Sequence, residues 1–316
     1  MARPTLTMVA ERAGVSVATV SRSLHDDPAV VAETRAHVMR VCDELGYRPS
    51  TAGRRLKQGS KAVVGLSLGV QDHAVSRYVS LMHQALTSQL AASGWSVQLI
   101  KPSEFKTTLD VGGLILLGVL KQDPRLAALR GSDLPTVAIG HDAGGYCLAP
   151  DDVGGGRLAA EHLLSLGRRK LAVLHSHDAQ GSVAKRVLSF IQTAEASGLT
   201  PQRYDGEAST TPTLQGYRTI ARELARGAEF DGLFCETDEL AAGALAALED
   251  AGRKVPRDVA VIGFDDLPEF ADRLTTIRQD IPLLAEMAMN LLNEARRGQP
   301  PRALLLPVAL MQRETA

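Results

Sequence analysis

The chain has 316 residues, 45% of them hydrophobic, and a net charge of -1. It is long enough to bury more than one core and too balanced to be a polyelectrolyte. Its three cysteines, Cys42, Cys147 and Cys235, are too few and too scattered for a disulfide framework or a zinc site, so buried reduced thiols are expected. No apolar run is long enough to span a bilayer, and no signal peptide opens the chain, which places it in the cytoplasm. The charge is unevenly spread. Residues 1–61 carry ten Lys and Arg against six Asp and Glu, a net of +4, and the remainder nets -5. A basic head on an acidic body confines attraction for phosphate to the head.

In chain order, Leu6, Val9, Ala10 and Ala13 fall at i, i+3, i+4 and i+7, the apolar stripe of one short helix. Thr5 can cap its start, and Gly14 stands where a left-handed residue would close it. Ser16 can cap a second helix. There Val20 and Leu24 join Val15 in facing inward, while Val17, Ala18, Ser21, Arg22 and His25 share the other face. That face is small, polar and basic. It suits a DNA major groove, because small residues allow close approach and Arg can pair with a guanine edge. Thr34, Val38, Val41, Cys42 and Leu45 form the stripe of a third helix, which Gly46 can end. Three short helices with a basic segment behind them read as a helix-turn-helix domain over residues 1–46. From Gly46 to Lys61 the chain holds five basic and no acidic residues, with Pro49 near its start and Gly59 near its end. Such a segment is too short and too charged to be a stable helix in isolation.

From Ala62 onward the pattern alternates. Apolar runs at Val63–Leu68, Val97–Ile100, Leu114–Leu117, Val137–Ile139, Leu171–Leu174, Leu233–Cys235 and Val259–Phe264 predict strands, with a last strand over about 304–313. Helices are predicted at Ser76–Ala92, Gly156–Leu166, Val183–Ser197, Leu214–Arg226, Glu239–Ala251 and Leu283–Arg297. Continuous apolar strands alternating with helices imply an α/β body, a parallel sheet covered on both faces. Ligands in such folds sit at the carboxyl ends of strands, and Asp265 and Asp266 directly follow one. Signals for catalysis are poor. Gly65-Leu66-Ser67-Leu68-Gly69 fits a hydrolase nucleophile pattern, yet Ser67 lies inside an apolar strand rather than at a strand-to-helix elbow. His175, His177 and Asp178 lack further metal ligands at a recognisable spacing. Gly154-Gly155-Gly156 lacks the spacing of a dinucleotide fingerprint. These residues indicate no enzyme, cofactor or metal.

Residues 5–61 closely resemble the head and hinge of the lactose-repressor (LacI/GalR) family of bacterial transcription regulators. The matching pieces are AGVSVATVSR from Ala13, ETR at 33–35, ELGYRP at 44–49 and a leucine-bearing hinge. The resemblance continues at 154–174, 238–266 and 274–280. It implies a hinge at 47–61 and a two-lobed, periplasmic-binding-protein-like body at 62–316. The N-lobe would take about 62–160 and 281–306, and the C-lobe 161–280 and 307–316. By the same resemblance Val17 and Ala18 read base edges, and Arg22 contacts a base or phosphate. Thr5, Ser16, Thr19 and Ser21 would position phosphates, which sets register without carrying sequence information. Capping is the plainer role for Thr5 and Ser16. Leu56 matches a leucine that paired hinges of two subunits insert into the minor groove, and Lys57 the basic residue after it.

For an effector, the resemblance implies Asp265 and Arg186; the exit of the first strand, Gly69 to Ser76, would lie across the cleft, which makes Asp72 and His73 candidate partners, although the sequence departs here from the family's asparagine-proline-phenylalanine pattern. Thr237 stands where asparagine or glycine is frequent, and Gly140 where aspartate is. Val31 replaces a capping serine, and Gly53 a hinge alanine. Only twelve residues separate Ile100 from Gly113, fewer than the helix-bearing connection of the family, so most of one N-lobe helix is expected to be missing. The implied protein is a repressor that binds a pseudo-palindromic operator as a homodimer, controlled by a small, sugar-like effector between the lobes. The alternative within the same fold is a cleft that is inert or binds protein. A transport protein would share the body but needs an export signal where this chain has its helix-turn-helix. No heptad tail follows the last strand, so a coiled-coil tetramer is not expected.

Overall fold

The computed structural model describes residues 5–24, 29–45, 47, 63–69, 76–106, 109–119, 122–140, 144–176, 181–206 and 211–316. The chain forms two compact units, residues 1–60 and 61–316. The hinge residues Gly53, Leu56 and Lys57, the cleft candidates Asp72 and His73, and also His25, His177 and Asp178 lie outside the described residues.

The first unit holds three helices, α1 (Leu6–Ala13), α2 (Val17–Ser23) and α3 (Ala32–Glu44). Val9, Ala10, Ala13, Val20, Val38, Val41 and Cys42 close a small core, with Leu6, Val15, Leu24 and Leu45 packed against it. The local signals behave as their chemistry requires. Thr5 Oγ1 accepts from the Met8 amide at 3.3 Å, Ser16 Oγ accepts from the Thr19 amide at 3.0 Å, and Gly14 closes α1 at φ +65°. The Val31 position bears out its departure: α3 starts there with no side-chain cap.

The second unit contains two six-stranded sheets. The first runs β11-β5-β4-β3-β1-β2 and is parallel throughout. Its strands are β1 (Val63–Ser67), β2 (Ser96–Leu99), β3 (Gly113–Leu117), β4 (Thr136–Ile139), β5 (Tyr146–Pro150) and β11 (Ala303–Leu306). Helices α4 (Arg77–Ala92) and α10 (Ile281–Arg296) cover one face through Met82, Leu86, Leu90, Leu284, Ala288 and Leu292. Among the described residues, the other face has a 3-10 turn at Pro102–Lys106 and the short α5 (Pro124–Ala128), which contribute Phe105 and Leu126. Among its described residues, the short 101–112 connection therefore carries one 3-10 turn where the resemblance implies a full helix.

The second sheet runs β12-β10-β9-β8-β6-β7, built from β6 (Leu171–Ser176), β7 (Gln202–Gly206), β8 (Gly232–Cys235), β9 (Ala260–Asp265), β10 (Thr275–Arg278) and β12 (Ala309–Met311). Only β12 is antiparallel to its neighbour. Helices α6 (Asp152–Ser165) and α7 (Ser182–Ala196) bury Ala159, Leu163, Phe190 and Ile191 on one face. Helices α8 (Pro212–Ala225) and α9 (Asp238–Asp250) bury Ile220, Leu240, Ala244 and Leu248 on the other.

Four sequence expectations are corrected. The single last strand over 304–313 is two strands, β11 and β12, one in each sheet, because the chain crosses between sheets at Pro307. Strands β5, β7 and β10 and helix α5 were not expected. Helix α6 begins at Asp152, four residues before the expected start, where Asp151 caps it through Gly154 N at 2.8 Å. Since α6 packs with α7 on the second sheet, the first crossing falls directly after Pro150 rather than near 160.

Candidate functional site

On α2, Val17, Ala18 and Arg22 are exposed, Thr19 and Ser21 are half-buried, and Val20 turns into the core. Ser16 Oγ and Thr19 Oγ1 lie 2.8 Å apart. Capping uses only the acceptor side of Ser16, so one hydroxyl proton of this pair stays available to a phosphate oxygen. An apolar residue such as Val17, 44% exposed on the rim of a polar face, is what contact with a thymine methyl requires.

In the second unit, a cavity of about 260 Å³ opens where the carboxyl ends of both sheets meet, walled by Leu117, Ile139 and Pro150 from the first and by Arg186, Thr237 and Asp265 from the second. The geometry around Arg186 starts with glycine. A Cβ on Gly156 would lie 2.1 Å from the Arg186 carbonyl oxygen, so only glycine lets α6 approach α7 this closely. That approach sets Asp152, fully buried at the start of α6, against the guanidinium: its Oδ1 accepts from Nε at 3.0 Å and lies 2.7 Å from Nη2. Nη1 donates to the Glu236 carbonyl at 2.7 Å and lies 3.5 Å from Asp265 Oδ1. The guanidinium sits over the Phe264 ring at 3.7 Å, a contact that adds to the ion pair. Burial works against the charge on Arg186, but Asp152 and Asp265 outweigh it and its pKa is raised.

Asp265 ends β9 at φ +121°, followed by Asp266 at φ +60°. Consecutive non-glycine residues in this region cost on the order of 1–3 kcal/mol each. They are held by Gln279 Nε2, which donates to Asp265 Oδ1 at 2.5 Å, and by Arg313 Nη2, which donates to Asp266 at 2.6 Å. Burial pushes the Asp265 carboxyl well above the ordinary carboxylate range, and nearby Asp238 adds to this while Arg186 opposes it. Burial also raises Glu236, against hydrogen bonds from Ser176 and the charge of Arg186. The Tyr78 phenol, which lines the cavity, is raised by burial and by Asp265.

The structure thus brings Arg186, Thr237 and Asp265 together around one cavity. Thr237 has a divided role: its hydroxyl caps α9 by accepting from Leu240 N at 3.3 Å. Tyr78, Glu239 and Gln279 also line the space and were missed. Gln279 follows β10, whose polar sequence hid the strand and so hid its carboxyl end. Ser67 is buried within β1 and accepts from Arg125, a structural role. His175 Nδ1 lies 3.4 Å from Asp205.

A helix-turn-helix unit joined in one chain to a two-sheet body with a cavity at the strand ends is the make-up of a DNA-binding transcription regulator. Residues 5–50 match the family described as bacterial regulatory proteins, lacI family, and residues 160–316 match the periplasmic binding protein-like domain. The HTH-type transcriptional regulator MalR of Streptomyces coelicolor is 31% identical over 317 residues, covering 92% of this chain and 90% of the relative. Among solved structures, a lac repressor dimer bound to operator and the anti-inducer ONPF is 25% identical with a TM-score of 0.71, covering 99% of each chain. A complex of the transcriptional regulator CelR with cellobiose is 26% identical with a TM-score of 0.69, covering 99% of this chain and 100% of that one. The chain belongs to the lacI family of bacterial transcription regulators.

Proposed function

We propose that this regulator is a repressor acting in the cytoplasm, which binds a pseudo-palindromic operator as a homodimer and is controlled by a sugar-like effector in the cavity. One observation carries the effector reading: the cavity wall is drawn from both sheets. A ligand there touches both lobes at once, so it binds one degree of lobe closure better than another. An effector can shift an equilibrium only by such a difference. Asp265 can accept from two adjacent hydroxyls, a pattern that suits a sugar. On DNA, Val17 and Ala18 read base edges, Arg22 reaches a base or phosphate, and Thr5, Ser16, Thr19 and Ser21 fix register. Paired hinges insert Leu56, with Lys57 on the backbone beside it. Asp72 and His73 remain proposed partners across the cleft. A neighbour solved as a complex with cellobiose supports this reading.

The test is selection of genomic fragments by the purified protein, followed by footprinting with and without sugars. The expected result is a two-fold symmetric footprint whose affinity changes when one sugar is added. A footprint of a single half-site would remove the dimer reading, and Leu56→Ala losing specific and non-specific affinity equally would remove the wedge.

A further inference from the structure

We infer that Arg125 is a positioning residue for effector binding: it holds, from behind, the strand ends of the first sheet that wall the cavity. This rests on the effector reading above and concerns a side chain which that reading does not use. Arg125 is 1% exposed and does not itself line the cavity. An arginine is almost never buried so completely unless its charge is paired and its donors are met. Here both conditions hold. Asp123 accepts from Nε at 3.0 Å and from Nη2 at 2.7 Å, a bidentate pair. The remaining donors reach across to two strands. Nη1 donates to Ser67 O and Ser67 Oγ, both at 3.2 Å, and Nη2 donates to the carbonyls of Leu117 at 3.1 Å and Gly118 at 3.2 Å.

The place of these carbonyls gives the contact its meaning. Ser67 and Leu116 are the last paired residues of β1 and β3. Just past that point the guanidinium ties the strands together where their ladder stops. Leu117, Gly118 and Val119 then form part of the cavity wall, with Ile139, Gly140 and Pro150 beside them. All of these are apolar or glycine, so the strand ends of the first sheet meet a ligand with backbone and shape rather than charge. That shape is tightly set. Gly118 turns the chain at φ +64°, and a Cβ on Gly140 would sit 3.1 Å from the backbone nitrogen and oxygen of Val119. A shift of residues 118–119 therefore carries to Gly140 and changes the width of the cavity. The same pair also builds the helix that bears it: Asp123 caps α5, five residues long, by accepting from the Arg125 amide at 2.9 Å. A buried ion pair is weak evidence for stability, since apolar packing often serves as well. What a planar, forked cation supplies, and a lysine or methionine does not, is a fixed spacing between several acceptors.

The test combines hydrogen exchange, read by mass spectrometry, with calorimetric titration of cellobiose, D-glucose and D-galactose, both on the full-length protein. Arg125→Lys keeps a cation beside Asp123 but loses the fork that spans both strand ends. Exchange at residues 117–119 and at Gly140 should quicken by about tenfold or more, the loss of a hydrogen bond to a charged group, while residues 64–66 and 114–116 stay within about twofold. A sugar bound by the unaltered protein should bind this variant at least about tenfold more weakly, because the ligand must then order the wall itself. Arg125→Met should loosen the same residues and also lower the melting temperature, since it strands the Asp123 charge. Unchanged exchange at 117–119 in Arg125→Lys, or equal acceleration throughout the first sheet, overturns the inference and leaves the effector reading standing. A loosened wall with undiminished sugar affinity overturns it as well. If the unaltered protein binds none of these sugars, the sugar reading fails, and the exchange pattern alone decides whether Arg125 holds the wall.

Discussion

Replacing Asp152 with alanine tests the frame on which the cleft is built. The substitution removes the oxygen that meets Arg186 at 3.0 Å and 2.7 Å, where Asp152 is fully buried and Arg186 is 4% exposed. Breaking a buried pair from one side costs about 3–5 kcal/mol because the remaining charge stays out of water. Two neighbours soften the loss here, since Asp265 lies 3.5 Å from Nη1 and the Phe264 ring faces the guanidinium. The expected cost is therefore at the lower end, about 3 kcal/mol, or roughly 6–12 °C in melting temperature for a unit of this size. Arg186→Met should cost more, about 4 kcal/mol, because it removes the cation facing Asp152 and Asp265 together. The double variant exchanges the pair for apolar volume, and apolar replacements of buried pairs are often close to neutral. Its cost should fall short of the sum by about 2 kcal/mol or more, measured by urea unfolding of the full-length protein. Additivity within about 0.5 kcal/mol would refute the reasoning, since it would mean that the two side chains do not depend on each other.

Further outcomes are expected at other sites. Gly156→Ala places a Cβ against the backbone of α7 and should destabilise by about 3 kcal/mol, despite the better helix propensity of alanine, while weakening effector binding through displacement of Arg186; unchanged stability would show that the helices can separate freely. Val31→Ser supplies the missing cap of α3 at a residue 69% exposed, and should add about 1 kcal/mol to the helix-turn-helix unit in calorimetry. Burial raises the Asp238 carboxyl to about 6 even though Thr276 and Leu267 donate to it. An acid with a raised folded pKa stabilises fully below its unfolded pKa and loses that contribution as pH climbs through the folded value. Between about pH 4 and 6 it should withdraw up to about 3 kcal/mol, and Asp238→Asn should flatten the fall in unfolding free energy over that window.

Much of the helix-turn-helix unit was legible because its signals are local. Thr5, Gly14 and Ser16 act within four residues of themselves, through caps and a left-handed φ that sequence spacing alone dictates. The central strands of the body were legible for a related reason: β1, β3, β8 and β9 are buried along nearly their whole length and are apolar up to the Ser67 and Asp265 that end β1 and β9. The strands that were missed belong to other environments. β7 is a sheet edge with three exposed residues in the run QRYDG. β10 carries Thr275 and Thr276, whose hydroxyls bond Ala316 O and Asp238; its polarity is satisfied by distant partners that no local pattern announces. The break at Pro307 between β11 and β12 was hidden because both strands are half-exposed and their apolar residues run on across it.

Sequence by itself determined the helix-turn-helix unit, the central apolar strands and the basic head, because propensity, capping and charge act over a few residues. Tertiary structure alone decided that Arg186 is locked by Asp152 across a glycine contact, and that Gln279, from the end of β10, joins Arg186 and Asp265 around one cavity. Those facts depend on distances between residues tens of positions apart, and burial in a low-dielectric interior is what turns such distances into energies.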